Sequence, residues 1–393
     1  MIHTRCHRTR HRAVKAAALA AAIALGVPVT AGSRSPVTRA GPFGPRAVVA
    51  LAWSEDGREL ATAATGDAAV RVRDGASGRI RRTLAIAGLY PYALHGSGRS
   101  FRLLAYHSQQ RAYRVIDLAT GRARSRPIPA MGPDLHVAWN PRAGRVAVES
   151  IGDGTLAAWD VVRGRRLWSL ASDRRSAVAG LAWSPDGSLL AVTDVAGGVV
   201  LLDGDGGFVV RQLQLPVPDE QGRAWRPVRW SEDGCLLAAA GPPGSLTDLR
   251  VWSAASGRLH FVSPLFLAPE ALALAWHPRG DAIAYRSHAH LPLYAWRLAG
   301  GNRIAITRSG DGAALSLAWS PDGQRLAVGY WDGRVRIHSA PATAGAACAP
   351  VPPSGSADVA VGAARVVGLT PSARGASRAA SRGRERSLAA GSR

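Results

Sequence analysis

The sequence predicts an all-β protein, and three observations carry that expectation. Apolar residues make up 47% of the chain but come in short runs broken by Gly, Asp and Ser. The 44 glycines and 25 prolines exceed what long helices tolerate. One short motif recurs through most of the 393 residues. With only 19% charged residues, the apolar content suffices for a core of domain size or larger.

The recurring motif is built on a tryptophan. Trp53 in LAWSEDG, Trp183 in LAWSPDG, Trp230 in VRWSEDG, Trp276 in LAWHPRG and Trp319 in LAWSPDG share one slot, joined by Trp139 in HVAWNPRAG with one extra residue. Leu94 in YALHGSG fills the second position. Successive slots are separated by 41, 45, 44, 47, 46 and 43 residues, which makes seven copies of one unit.

Each unit reads as four strands, here called a to d. Strand a is the apolar run that ends at the slot, such as Val48 to Trp53. A tight turn follows, in which Pro185 or Pro321 fixes φ, Asp186 or Asp322 bonds back to the backbone, and Gly187 or Gly323 accepts positive φ. Glycine stands four residues after the slot in six of the seven units, as a reversing hairpin requires. Strand b alternates, as in Leu189 to Val192, and its frequent alanines suit a crowded position near a central axis. Strand c carries Val72, Val115, Trp159, Leu202, Trp252, Trp296 and Ile337. Glycine turns at Gly78, Gly121, Gly164 and Gly257 then lead into strand d.

The stretches VRVRDGASGRIRRTL, AAWDVVRGRRLWSL and RVWSAASGRLHFV resemble the second halves of WD repeats, and Trp159-Asp160 is the literal Trp-Asp pair at that place. The resemblance covers about 290 residues. It implies a single seven-bladed β-propeller of four-stranded antiparallel blades over residues 47–340, with degenerate repeats, because the Gly-His pair ahead of strand a is absent throughout. Asp67, Asp153 and Asp332, in the b to c turns, match the aspartate that in this family bonds the turn and stabilises the blade. The WSPDG turns also resemble the periplasmic Tol-type propellers, which have six blades, so the count separates the two.

Ring closure requires a last outer strand. After Arg334 to His338 the chain turns to SAPATAGAACAPVPPSGS, a poor strand, so Pro36 to Ala40 in the 32–46 linker is the expected closing strand, with Val359 to Leu369 as its rival. Residues 341–393 are rich in Ala, Gly, Pro and Arg and read as a flexible tail. Residues 1–31 read as a signal peptide. Arg5, Arg8, Arg10, Arg12 and Lys15 precede an apolar stretch from Ala16 to Val29, and small residues at Val29-Thr30-Ala31 permit cleavage before Gly32. That stretch is short for a bilayer span, so the expectation is an exported protein, periplasmic or extracellular, with no stable membrane span after cleavage. An organelle transit peptide is the alternative.

The net charge of +22 lies mostly at the ends. Residues 1–46 hold eight basic side chains and no acid, and residues 365–393 hold seven arginines against Glu385. The middle carries no basic run or aromatic-interleaved stripe, so no specific nucleic-acid partner is implied. Lys15 is the only lysine, a bias that fits a GC-rich genome better than selection for phosphate. Cys6, Cys235 and Cys348 are too few and too far apart for a disulfide framework or zinc site.

Local catalytic motifs are missing: there is no H-E-x-x-H, G-x-x-x-x-G-K, G-x-G-x-x-G opening a helix, or G-x-S-x-G. His288 and His290 could share a metal only with a third ligand from across the channel, and neither metal nor cofactor is predicted. The stretch around Trp168 also has the flavour of a quinoprotein propeller repeat, in which Trp docks neighbouring blades. The expectation is a non-enzymatic, monomeric scaffold that binds a protein or peptide partner through the loop face, where the b to c and d to a connections meet. Trp331, Trp225, Arg226, Arg174 and Arg175 lie in those connections, and aromatic residues with arginine are common interface anchors. The alternative is a propeller enzyme of hydrolase type, or a small-ligand binder, acting at the channel mouth.

Overall fold

A computed structural model describes residues 46–340 apart from 99, 131–135, 141, 143, 151–154, 173–177, 195–197, 215–226, 241–248, 263–272, 287–291, 300 and 309, together with residues 369–371. Every described regular element is a strand.

The strands form seven antiparallel sheets, each strand bonded to the next in sequence. Blade one comprises β1 (Val48–Trp53), β2 (Glu59–Ala64), β3 (Ala69–Asp74) and β4 (Ile80–Ala85). Blade two comprises β5 (Leu89–Ser97), β6 (Ser100–His107), β7 (Ala112–Asp117) and β8 (Ile128–Pro129). Blade three comprises β9 (Val137–Asn140), β10 (Arg145–Ser150), β11 (Thr155–Asp160) and β12 (Arg165–Ser172). Blade four comprises β13 (Val178–Trp183), β14 (Leu189–Asp194), β15 (Val199–Asp203) and β16 (Val209–Gln214). Blade five comprises β17 (Val228–Trp230), β18 (Leu236–Ala240), β19 (Leu249–Ser253) and β20 (Leu259–Val262). Blade six comprises β21 (Ala273–Trp276), β22 (Ala282–Arg286), β23 (Tyr294–Arg297) and β24 (Arg303–Ala305). Blade seven has three strands among the described residues, β25 (Ala314–Trp319), β26 (Arg325–Tyr330) and β27 (Val335–Ser339). Seven blades, not six, set the chain apart from the Tol-type alternative.

Pro36 to Ala40 and residues 359–368 lie outside the described residues. Leu369 begins β28 (Leu369–Pro371), which pairs antiparallel with the outer edge of β12, matching Leu369 to Ser172. This short strand thus extends blade three to five strands.

The core is divided among the blade interfaces. Seven apolar clusters are present, one between each consecutive pair of blades and one between blades seven and one. The period-two geometry of a strand produces this division, since neighbouring side chains leave a sheet on opposite faces. In β14, Leu190 and Val192 pack toward blade three while Ala191 packs toward blade five. The strand-b alanines Ala61, Ala147, Ala191, Ala238, Ala284 and Ala327 have at most 0% exposure, and all but Ala238 lie opposite another alanine on strand a. Small residues on adjoining strands leave room for the large ring of the next blade's slot residue.

That ring supplies a bond between blades. Trp230 donates its Nε1–H to the Ala182 carbonyl at 3.0 Å, Trp276 to Arg229 at 2.9 Å and Trp319 to Ala275 at 3.2 Å. Each acceptor immediately precedes the slot of the preceding blade. Trp53 follows the same rule around the ring and donates to Ala318 of blade seven at 2.9 Å. Trp139 and Trp183 are the departures: neither makes this bond among the described residues, and the Trp183 Nε1 is buried there without a hydrogen-bond partner.

The a to b turns follow from their sequence. In blades one, four and five, Ser54, Ser184 and Ser231 donate Oγ–H to Asp56, Asp186 and Asp233 at 2.6 Å, and Ser320 does the same to Asp322 in blade seven. Each aspartate accepts the backbone N–H two residues on, at 2.9 to 3.0 Å. Gly57, Gly187, Gly234 and Gly323 take positive φ there, the conformation that excludes most other residues.

Candidate functional site

The b to c turn of blade seven lies on the loop face, and all of its residues are described. Tyr330 N–H donates to the Arg334 carbonyl at 3.0 Å and Gly333 N–H returns to Tyr330 at 3.2 Å, which closes a tight reversal between β26 and β27. Gly333 adopts a φ of +89°, and a Cβ there would lie 3.1 Å from the Arg46 carbonyl. Trp331 stands on the crest with 43% of its surface exposed, its backbone N–H anchored to Ala313 at 2.9 Å.

Ion pairs hold this crest from both sides. Asp332 accepts the Arg334 backbone N–H at 3.1 Å and its Nε–H at 2.6 Å. Partial burial opposes ionisation of Asp332, but these bonds outweigh it and keep its pKa below the ordinary value. Arg334 also donates to the Asp311 carbonyl at 3.0 Å and lies 5.3 Å above the Tyr330 ring, while Arg336 donates to the Asp311 carboxylate at 2.7 Å. An exposed indole on an anchored turn loses little freedom when covered, which is the property an interface anchor needs.

Asp332 therefore does bond its own turn. Asp67 instead pairs with the Arg71 guanidinium on β3, and that bond raises the arginine pKa. Asp153 lies outside the described residues, as do Trp225, Arg226, Arg174 and Arg175, and also His288 and His290. The described residues contain no cluster of three or more His, Cys, Asp or Glu able to hold a metal ion.

A second set of aspartates stands at the end of strand c, and only Asp160 among them carries a sequence motif. Asp74, Asp117, Asp160 and Asp203 each accept two backbone N–H groups from the following turn, at 2.6 to 3.2 Å. Asp160 is the aspartate of the literal Trp-Asp pair. The Ser77 N–H and hydroxyl, with the Arg81 guanidinium, hold Asp74 far below the usual carboxylate range.

On the face opposite the loops, arginines fasten blades together, Arg211 of blade four by donating to the Ser256 carbonyl of blade five at 3.2 Å. Arg325, at the start of β26, donates to the carbonyls of Gly75 at 2.8 Å and Gly57 at 3.1 Å, and its guanidinium lies 5.0 Å from the Trp53 ring centre. Arg145, at the same place in blade three, donates to Gly187 and Asp205 of blade four at 2.8 and 2.9 Å and lies 5.8 Å from the Trp183 ring centre. The residue after the slot contributes where it is not serine. Asn140 donates to Ser184 and Pro185 of the next blade, and His277 Nε2 donates to Gly323 at 3.2 Å. Trp168 of β12 also docks on blade four, donating to Gly204 at 3.0 Å.

Strand a of every blade lines a central channel of about 510 Å³. Seven interlocked blades, each ending its inner strand at the same slot, form one ring around that channel. Residues 137–219 and 274–348 match the profile of the anaphase-promoting complex subunit 4 WD40 domain. Over these two stretches, 158 of its 393 residues, the chain is similar to WD-repeat proteins. The chain is 30% identical over 158 residues to coronin-7 of Rattus norvegicus, covering 36% of this chain and 16% of that protein. It is 29% identical over 190 residues to WD repeat-containing protein VIP3 of Arabidopsis thaliana, covering 47% of this chain and 46% of VIP3. The match thus spans less than half the length of either relative. Among solved structures, a chain in the crystal structure of the mitotic checkpoint complex superposes with a TM-score of 0.57 at 20% identity, over 80% of this chain and 98% of that one. This last likeness is one of fold alone.

Proposed function

We propose that this chain is a non-enzymatic scaffold that holds a protein or peptide partner on the loop face of its ring. Trp331 carries the reading: it presents a large aromatic surface on a turn fixed by Asp332, Arg334 and Asp311. A folded ring with such an anchor offers a pre-ordered surface, so binding costs little conformational entropy. Similarity to a WD40 domain of the anaphase-promoting complex, and a similar fold in a chain of the mitotic checkpoint complex, support an assembly role by analogy. The scaffold acts as a monomer and is exported, the basic leader and apolar stretch of residues 1–31 serving as its signal peptide.

Photo-crosslinking from the exported fraction, with the full chain and Trp331→Ala as paired baits, tests the reading. A crosslinked species that disappears in the variant while the melting temperature holds supports it. Equal capture by both baits contradicts it. Mass spectrometry of the exported chain checks the leader, with Gly32 as the expected first residue; an intact Met1 overturns the export proposal.

A further inference from the structure

The central channel holds one charge that the ring does not neutralise. At the position just before the slot, six blades carry alanine, namely Ala52, Ala93, Ala138, Ala182, Ala275 and Ala318, and blade five carries Arg229. Four titratable side chains other than tyrosine line the channel: His95, Arg142, Arg229 and Glu232. Arg142 and Glu232 pair with each other at 3.7 Å. Burial, with Arg142 and Arg102 nearby, lowers the His95 pKa and favours the neutral ring. Arg229 thus remains as the uncompensated cation among the described lining residues. Its guanidinium donates to the Val228 carbonyl at 2.8 Å and makes no ion pair with a described residue. Channel solvent reaches the side chain, yet the ring surrounds it, and the loss of hydration lowers its pKa.

We propose that the channel is a receptor for a carboxylate carried on an apolar body, with Arg229 as the anchor. A planar guanidinium matches a carboxylate through two parallel bonds, and one cation balances one such group. Leu51 and Leu317, half-buried on the channel wall across from Arg229, suit an apolar stem rather than a multiply charged phosphate. Arg229 stands two residues ahead of the turn at Ser231, toward the face opposite Trp331, so this site is separate from the partner surface proposed above. The same chemistry could come from a free organic acid or from an acidic side chain of a peptide.

Calorimetric titration of the full chain separates these sources. The probes are 3-phenylpropionate against 3-phenylpropionamide, and acetylated, amidated Ala-Leu-Glu-Leu-Ala against the same peptide with Gln for Glu. Binding of an acid probe with loss of affinity of about tenfold or more in its amide, and in Arg229→Ala, supports the proposal. The probe that binds identifies the source. Failure of both acids, or an acid that binds Arg229→Ala as well as the parent, overturns it. Alanine already fills this position in six blades, so the variant should fold with an undiminished melting temperature. If it does not, Arg229→Gln serves in the same titration with the same two outcomes.

Discussion

Trp53 donates its indole N–H to the carbonyl of Ala318 at 2.9 Å, a bond between residues 265 apart in the chain. It repeats, across the ends of the ring, the bond that Trp230, Trp276 and Trp319 make between consecutive blades. The seam between blades seven and one is therefore built like its neighbours, with no outer strand shared between them among the described residues. Its apolar cluster has three fully packed members, Trp53, Leu60 and Ala327, so polar contacts carry more of the load there. Ser316 adds one by donating to the Val48 carbonyl at 2.7 Å.

Trp53→Phe keeps most of the ring volume and removes the donor, leaving the Ala318 carbonyl without it. The expected loss is about 1 to 2 kcal/mol, read by urea unfolding. Trp230→Phe, which breaks the same bond between blades four and five, should cost a similar amount. A Trp53→Phe variant as stable as the parent would show that the seam does not depend on this bond.

Arg325→Ala removes two bonds to blade one and the cation above Trp53, with an expected cost of about 2 kcal/mol. Arg325→Lys should recover less than half of it, because an ammonium cannot span the Gly57 and Gly75 carbonyls as the planar fork does. Equal stability of the Lys variant and the parent would refute the clamp.

Acid should loosen the ring from blade three first. Burial pushes the His136 pKa down to about 4 from an ordinary 6.5, although Glu149 lies 3.9 Å away. Between these values the unfolded chain binds the proton and the folded chain does not, so stability rises with pH. The contribution, up to about 3 kcal/mol, is complete above pH 6.5 and is lost as pH falls toward 4. Melting temperatures measured across that window should fall less steeply in His136→Gln; an unchanged slope would assign the loss to another group.

Asp160→Ala should cost about 1 to 2 kcal/mol, since the N–H groups of Val162 and Arg163 and the Arg163 guanidinium lose their acceptor. Thermal unfolding checks this, with Asp67→Ala as the contrast. Asp67 bonds a half-buried guanidinium rather than its turn, so its removal should cost less than half as much.

The repeat was legible in the sequence because its signals are local. A slot residue, a serine, an aspartate and a glycine within five positions define a turn, and the turn defines two strands. What joins blades was not, because each bond runs to a residue more than 35 positions away. The Trp-to-carbonyl bonds need the neighbouring blade in place before the acceptor can be named, and Arg145 and Arg325 look like ordinary surface arginines until it is. The aspartates show the same limit. Asp332 bonds its turn as expected, yet Asp67 turns to Arg71, four residues on, and the c-strand aspartates that brace four turns had been noticed only in the Trp159-Asp160 pair. Trp331 was legible as an exposed loop aromatic because no strand pattern could absorb it.

Hydrogen exchange at the tryptophan indoles, followed by two-dimensional NMR with Trp53→Phe and Trp230→Phe used for assignment, tests ring closure most directly. A closed ring predicts that the Trp53 Nε1–H is protected as strongly as that of Trp230. Exchange of the Trp53 proton at a solvent-like rate while Trp230 stays protected would mean that blades seven and one do not meet.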